Sequence, residues 1–132
     1  MLACETFPAD EAFLDVIATE ADDNLRRFRH HPSIVAWSGN NEDYLFETLF
    51  KIQYDINDKD PESCLKTNFP SRYIYEKLLS EVCEKLIPVT SYHPGSPWGG
   101  KSFNDPTIGD TNMWEGRLLP SGRDRLIFPV DS

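Results

Sequence analysis

With 132 residues the chain has the length of one ordinary domain, and its charged and apolar fractions are those of a soluble globular protein. A formal charge of −9, from 22 Asp and Glu against 13 Lys and Arg, argues against a phosphate-tracking surface, so neither nucleic acid nor a membrane is an expected partner. Cys4, Cys64 and Cys83 are odd in number, far apart and without a C-x-x-C pair, which excludes the pattern of a disulfide framework or a zinc knuckle and suits a reducing compartment.

The chain opens on a short apolar run, Met1 to Cys4, read as a strand that Phe7-Pro8 breaks. The N-terminus lacks a basic region followed by an apolar core, and a cytoplasmic location is expected. From Asp10 to Arg29 the apolar residues Phe13, Ile17, Ala21 and Leu25 recur every four positions, flanked by Leu14 and Phe28, which predicts an amphipathic helix capped by Asp10. Acidic residues open this helix, and Arg26, Arg27, Arg29 and His30 close it, as the helix dipole favours. After Pro32, Ser33 to Ser38 is compact, β-branched and continuously apolar, the pattern of a parallel strand covered on both faces. Asp43 to Ile52 is read as a short helix, and Tyr54 to Pro70 as an irregular excursion. Ser71 is the expected cap of a second helix carrying Ile74, Leu78, Val82 and Leu86, which Pro88 ends. Val89 to Tyr92 predicts a short strand, and from His93 onward the chain is rich in Pro, Gly, Asn and Asp without a period.

This order of strands and helices is the alternation of a parallel α/β architecture. Glu5, the Asn40-Asn41-Glu42 group and Tyr92 to Trp98 all fall just after strands, at the carboxyl edge where such folds bind ligands. Gly39 permits an unusual backbone path beside Glu42, and Asn41 is placed to orient a hydroxylated ligand. With Trp37 and Trp98 as apolar walls, Glu42 has the setting of a general acid, and sugar chemistry is the natural expectation.

Other constellations are weaker. Gly95 to Ser102, GSPWGGKS, satisfies the P-loop pattern, but Pro97 removes a backbone donor and Phe103 to Pro106 is a poor helix start, which leaves nucleotide binding as an alternative to an aromatic-bearing loop. Asp55 to Ser63 fails the spacing of a calcium loop, and His30-His31 has no third metal ligand at a suitable spacing. His93 lies on the functional edge and reads as a structural or substrate-contacting residue.

The run RRFRHHPSIVAWSGNNEDY, Arg26 to Tyr44, resembles the catalytic domain of β-mannosidases of glycoside hydrolase family 2, especially the fungal intracellular type. MLACETFP, DINDKDPESCLKTNFPSRYIYEKLL and SYHPGSPWGGKSFNDPTIGD agree in the same order, so the resemblance spans Met1 to Asp110 and leaves residues 111–132 as a divergent tail. It implies part of a TIM (β/α)8 barrel, about strands three to five. It implies hydrolysis of terminal, non-reducing β-D-mannose residues from mannosides or manno-oligosaccharides by a retaining mechanism, without metal or organic cofactor. Carried over, Glu42 is the general acid/base and Asn41 holds the sugar 2-hydroxyl, while Trp98 and Asp110 line the sugar site. The family's nucleophile belongs to a Ser-Glu-Phe-Gly-like segment, which this sequence lacks; Glu115 does not match it. The resemblance therefore implies a chain that carries the acid/base without its nucleophile, and a carbohydrate-binding remnant without turnover is the alternative.

Overall fold

In a computed structural model the chain is described over residues 7–45, 51–52, 54–55, 57–100 and 104–112. The expected strand at Met1 to Cys4, Glu5, most of the expected Asp43–Ile52 helix and the tail beyond residue 112, with Glu115, lie outside the described residues.

The first helix, α1, spans Glu11–Phe28 and follows the sequence pattern closely. Asp10 has extended backbone angles, and its Oδ1 accepts the Phe13 backbone N–H at 3.1 Å, which satisfies one of the donors that a helix start leaves open. Ile17 and Leu25 of its four-residue stripe are buried, while Val16 faces solvent.

Strand β1 covers Ala36–Asn41, three residues later than the apolar run predicted. The displacement has a local cause. The His31 N–H is bonded to the Phe28 carbonyl and the Ile34 N–H to the His31 carbonyl, so the backbone after α1 is held in tight turns and ladder pairing starts only at Ala36. Val35, placed in the strand by its side chain, is 80 % exposed.

The segment read as an irregular excursion contains a helical turn, α2, at Pro61–Cys64, with Asp60 accepting the Glu62 N–H and Pro61 in the first turn, where its missing donor costs nothing. The second long helix begins differently from its prediction. Ser71 is fully buried, and its hydroxyl finds no hydrogen-bond partner among the described residues, so it does not cap through its side chain. Ile74–Leu78 forms a wide π-type turn in which the Leu79 N–H reaches back to the Ile74 carbonyl, and α3 continues over Leu79–Leu86.

Strand β2, Ser91–Ser96, runs parallel to β1 in the register Ala36–Ser91, Trp37–Tyr92, Ser38–His93, Asn40–Gly95 and Asn41–Ser96. It extends four residues beyond the predicted end at Tyr92. Pro94 and Gly95 have low strand propensity, yet pairing with β1 and a bond from Asn40 Nδ2 to the Pro94 carbonyl, 2.8 Å, hold them in line. Strand, helical crossover and parallel strand form an α/β unit with its two strands adjacent.

Two apolar clusters hold the unit together. Ile17, Tyr44, Phe69, Ile74 and Tyr75 form one, with Phe13, Leu14 and Trp98 at its margin. Leu25, Cys83 and Ile87 form the other, against which Trp37 and Tyr92 pack. Burial pushes the Cys83 thiol up to about 11 and raises the Tyr92 phenol as well. Among the described residues no helix is long and apolar enough to cross a membrane.

Candidate active site

Glu42 is the first residue past β1, at its carboxyl end, and it has a positive φ of 63°. A side chain with a Cβ is uncommon in that region and costs roughly 1–2 kcal/mol there, so neighbouring bonds must hold it. They are visible on both sides. The Glu42 N–H donates to the Ser96 carbonyl at 2.9 Å, extending the ladder to β2, and its own carbonyl accepts the Leu45 N–H at 2.9 Å. The fully buried Asn40 braces the same turn, its Oδ1 taking the Asp43 N–H at 3.2 Å while its amide nitrogen holds β2.

Asp43 is directed the other way, into the protein. It is 1 % exposed, and the hydroxyl of the fully buried Tyr75 donates to its Oδ2. Tyr75 in turn gives its backbone carbonyl to the Tyr92 hydroxyl at 2.7 Å. The next residue, Tyr44, donates to Glu76 Oε1 at 2.8 Å, and the buried Arg72 guanidinium grips the same carboxylate with Nε at 2.9 Å and Nη2 at 3.1 Å. Arg72 also donates to the Asp55 and Asp58 carbonyls, tying the 55–60 loop beneath the site. Desolvation by burial, followed by the nearby Glu76 carboxylate, raises the Tyr44 phenol well above its ordinary value, which keeps it a neutral donor.

The loop after β2 returns to Glu42. Trp98 and Asp110 form an antiparallel bridge, with the Trp98 N–H on Asp110 Oδ1 at 2.9 Å and the Asp110 N–H on the Trp98 carbonyl at 3.2 Å. Asp110 Oδ2 accepts the Ser96 hydroxyl at 2.5 Å, and His93 Nδ1 lies 3.8 Å from Asp110 Oδ1. Gly109, with φ 77°, permits this closure, because a Cβ there would fall 1.9 Å from the Trp98 carbonyl oxygen. The indole of Trp98 packs on Tyr44 with ring centroids 5.2 Å apart. Two residues beyond Asp110, Asn112 donates from Nδ2 to Glu42 Oε1 at 2.7 Å.

The sequence-predicted residues are thus drawn to one place. Asn41 pairs with Ser96, Glu42 follows it, Ser96 holds Asp110, and Asp110 bridges to Trp98. A carboxylate, a partly exposed indole and further amide and carboxylate groups suit a hydroxylated ring, which offers both a C–H face and polar edges.

Trp37 does not join them. It packs with Leu25, Cys83 and Ile87, so the wall near Glu42 comes from Trp98 without it. The P-loop alternative also fails on geometry: Gly95 and Ser96 belong to β2, and the Trp98 N–H is committed to Asp110. Among the described residues of this stretch no anion cradle forms; Lys101 and Ser102 lie outside them. In the acidic loop, Asp55, Asp58 and Asp60 each accept a backbone N–H two residues on, so these side chains stabilise turns. Asn112 and the Asp43–Tyr75 pair were not anticipated. Both depend on contacts tens of residues apart in sequence, which no local motif signals.

No protein-family profile matches the chain. It is 54% identical over 115 residues to β-mannosidase B of Thermothelomyces thermophilus and 56% identical over 115 residues to β-mannosidase B of Aspergillus oryzae. Over that span the chain is a homologue of the β-mannosidases. The match takes in 86% of this chain and 14% of each relative, so the chain spans about one seventh of the length of the curated relatives it matches. The crystal structure of β-D-mannosidase from Dictyoglomus thermophilum superimposes with a TM-score of 0.66 at 34% identity, covering 86% of this chain and 13% of that one. The likeness to a β-mannosidase therefore extends from sequence to fold over most of this chain.

Proposed function

We propose that this chain supplies the acid/base part of a β-mannosidase site, on a slice of a TIM (β/α)8 barrel about strands three to five, and acts on terminal, non-reducing β-D-mannose residues of mannosides and manno-oligosaccharides. The observation that carries the reading is the placement of Glu42: a strained glutamate at the carboxyl end of a parallel strand, facing a loop that presents Trp98 and Asp110. The homology to proteins named β-mannosidase B supplies the substrate class.

In this reading Glu42 gives a proton to the glycosidic oxygen as its bond to the anomeric carbon breaks, and the electron pair of that bond remains on the departing oxygen. It later takes a proton from the water that attacks the anomeric carbon. Asn41 holds the 2-hydroxyl, and Trp98 and Asp110 line the sugar. A retaining course requires a second carboxylate about 5–5.5 Å from the first, and the Ser-Glu-Phe-Gly-like segment that would carry it does not occur in this sequence.

The test is Glu42→Gln in the full chain, assayed on mannobiose with binding followed by tryptophan fluorescence. Saturable mannobiose binding is expected in both the unaltered chain and the variant, and whatever hydrolysis the unaltered chain shows is expected to fall by about 10²–10⁴-fold in the variant. Undiminished hydrolysis in the variant, or no saturable binding by the unaltered chain, overturns the proposal.

A further inference from the structure

The loop that follows β2 is closed at its neck by the Trp98–Asp110 bridge, and its last described residue reaches across to Glu42. Asn112 is itself immobilised there. The side chain of Asn104 donates to the Asn112 carbonyl at 2.9 Å and accepts the Asn112 N–H at 3.0 Å, so one amide grips both backbone groups of the residue that grips Glu42. The remaining part of Asn112, its side-chain amide, points its nitrogen at Glu42 Oε1, 2.7 Å away. An ionised carboxylate only accepts hydrogen bonds, which sets the direction of this contact.

We propose that Asn112 is a positioning residue for Glu42, fixing the carboxylate plane through Oε1 and so assigning the transferable proton to Oε2. This rests on the reading of Glu42 as the acid/base. An amide suits the task because it stays neutral through both halves of the reaction. It donates to Oε1 when Glu42 is ionised and continues to donate to the carbonyl-like Oε1 when Oε2 carries the proton. The aspartate of the same shape would offer no donor and would set a second negative charge against Glu42. Neither Asn104 nor Asn112 touches the reacting atoms in this scheme; they act through the orientation of Glu42 alone.

A positioning role leaves a signature that general loosening of the loop does not. Mannobiose must have its leaving oxygen protonated as it departs, whereas 2,4-dinitrophenyl β-D-mannoside releases a stable anion without help. In the full chain, Asn112→Ala and the isosteric Asn112→Asp are expected to lower kcat on mannobiose by about tenfold to a hundredfold, with KM nearly unchanged. The formation of the first product from the dinitrophenyl mannoside should change by less than about threefold. Equal losses on both substrates, or full activity of both variants on mannobiose, overturn the proposal.

Nuclear magnetic resonance of the ¹⁵N-labelled chain gives a second readout that needs no turnover. The Asn112 side-chain amide signal should move upfield in Glu42→Gln, where a charge-assisted hydrogen bond becomes a neutral one. An unmoved Asn112 signal overturns the positioning role even if mannosides are cleaved. Where the unaltered chain, which has no Ser-Glu-Phe-Gly-like segment, turns over neither mannoside, the resonance shift decides the Asn112–Glu42 contact on its own.

Discussion

Replacing Tyr75 by Phe removes a single oxygen atom from the interior while leaving its ring in place beside Tyr44 and Phe69. Tyr75 is fully buried and Asp43 1 % exposed, so the lost hydroxyl cannot be replaced by bulk water. Removing one partner of a buried hydrogen bond costs about 1–3 kcal/mol, with charged acceptors at the upper end. For a chain of this size the urea m-value is about 1.5–2 kcal/mol/M, so the midpoint of urea unfolding should fall by roughly 0.5–2 M. The slope of the transition should stay as it is, because the surface exposed on unfolding does not change. Asp43→Ala and the double variant complete a cycle in which the coupling should exceed about 0.5 kcal/mol, as expected for residues in direct contact. A midpoint shift below about 0.2 M for Tyr75→Phe, too small for any buried charged hydrogen bond, would refute the view that this pair braces the turn behind Glu42.

Gly109→Ala places a Cβ 1.9 Å from the Trp98 carbonyl oxygen at a φ of 77°, so the neck of the loop must open; mannobiose affinity, read by tryptophan fluorescence, should drop by about tenfold or more, the scale of one lost polar contact, while far-ultraviolet circular dichroism keeps the helical signal. Cys83, held at about 11 by burial against an ordinary 9.0, should react with iodoacetamide at pH 8 about 100-fold more slowly than a thiol at its ordinary value, since only the thiolate attacks. Its raised value also fixes a sign: this contribution to stability is fully present below pH 9 and is lost as pH rises toward 11, because the unfolded chain releases the proton first. Rapid native-state alkylation of Cys83, or a urea midpoint of wild type relative to Cys83→Ala that is flat from pH 8.5 to 10.5, would contradict its burial beside Leu25 and Ile87.

The parts of the fold that were legible are those governed by local chemistry. The α1 helix is written in the spacing of Phe13, Ile17 and Leu25 and in the Asp10 cap, and both signals act within a few residues. The strands were displaced because their ends are decided elsewhere: turns at Phe28–Ile34 delay β1, and the Asn40–Pro94 bond recruits a Pro-Gly stretch into β2. Composition favours Ile34-Val35 over Gly39-Asn40-Asn41 as strand, whereas the ladder selects the latter. Asn40 shows what was missed most clearly. Its sequence neighbours suggest a ligand-facing amide, but it is fully buried and serves both strands and the Asp43 N–H.

The turn at the end of β1 also explains why two adjacent carboxylates have separate fates. In ordinary strand geometry consecutive side chains alternate between the faces of the sheet, and either Glu42 or Asp43 would meet the loop after β2. The left-handed backbone at Glu42 ends that alternation at the last ladder bond, the one to the Ser96 carbonyl. Asp43 is thereby turned inward to Tyr75, where it is structural, and Glu42 toward Asn112, beside the bridge formed by Trp98 and Asp110. A glycine at position 42 would relieve the backbone and delete the carboxylate, so the strain persists only if the side chain is worth more in that position than the roughly 1–2 kcal/mol it costs. The elements that offset the cost, Asn40 on one side and the loop ending in Asn112 on the other, both bond directly to the turn or to the Glu42 carboxylate. Backbone strain, inward aspartate and outward glutamate are therefore one device, and the chemistry proposed for Glu42 requires all three.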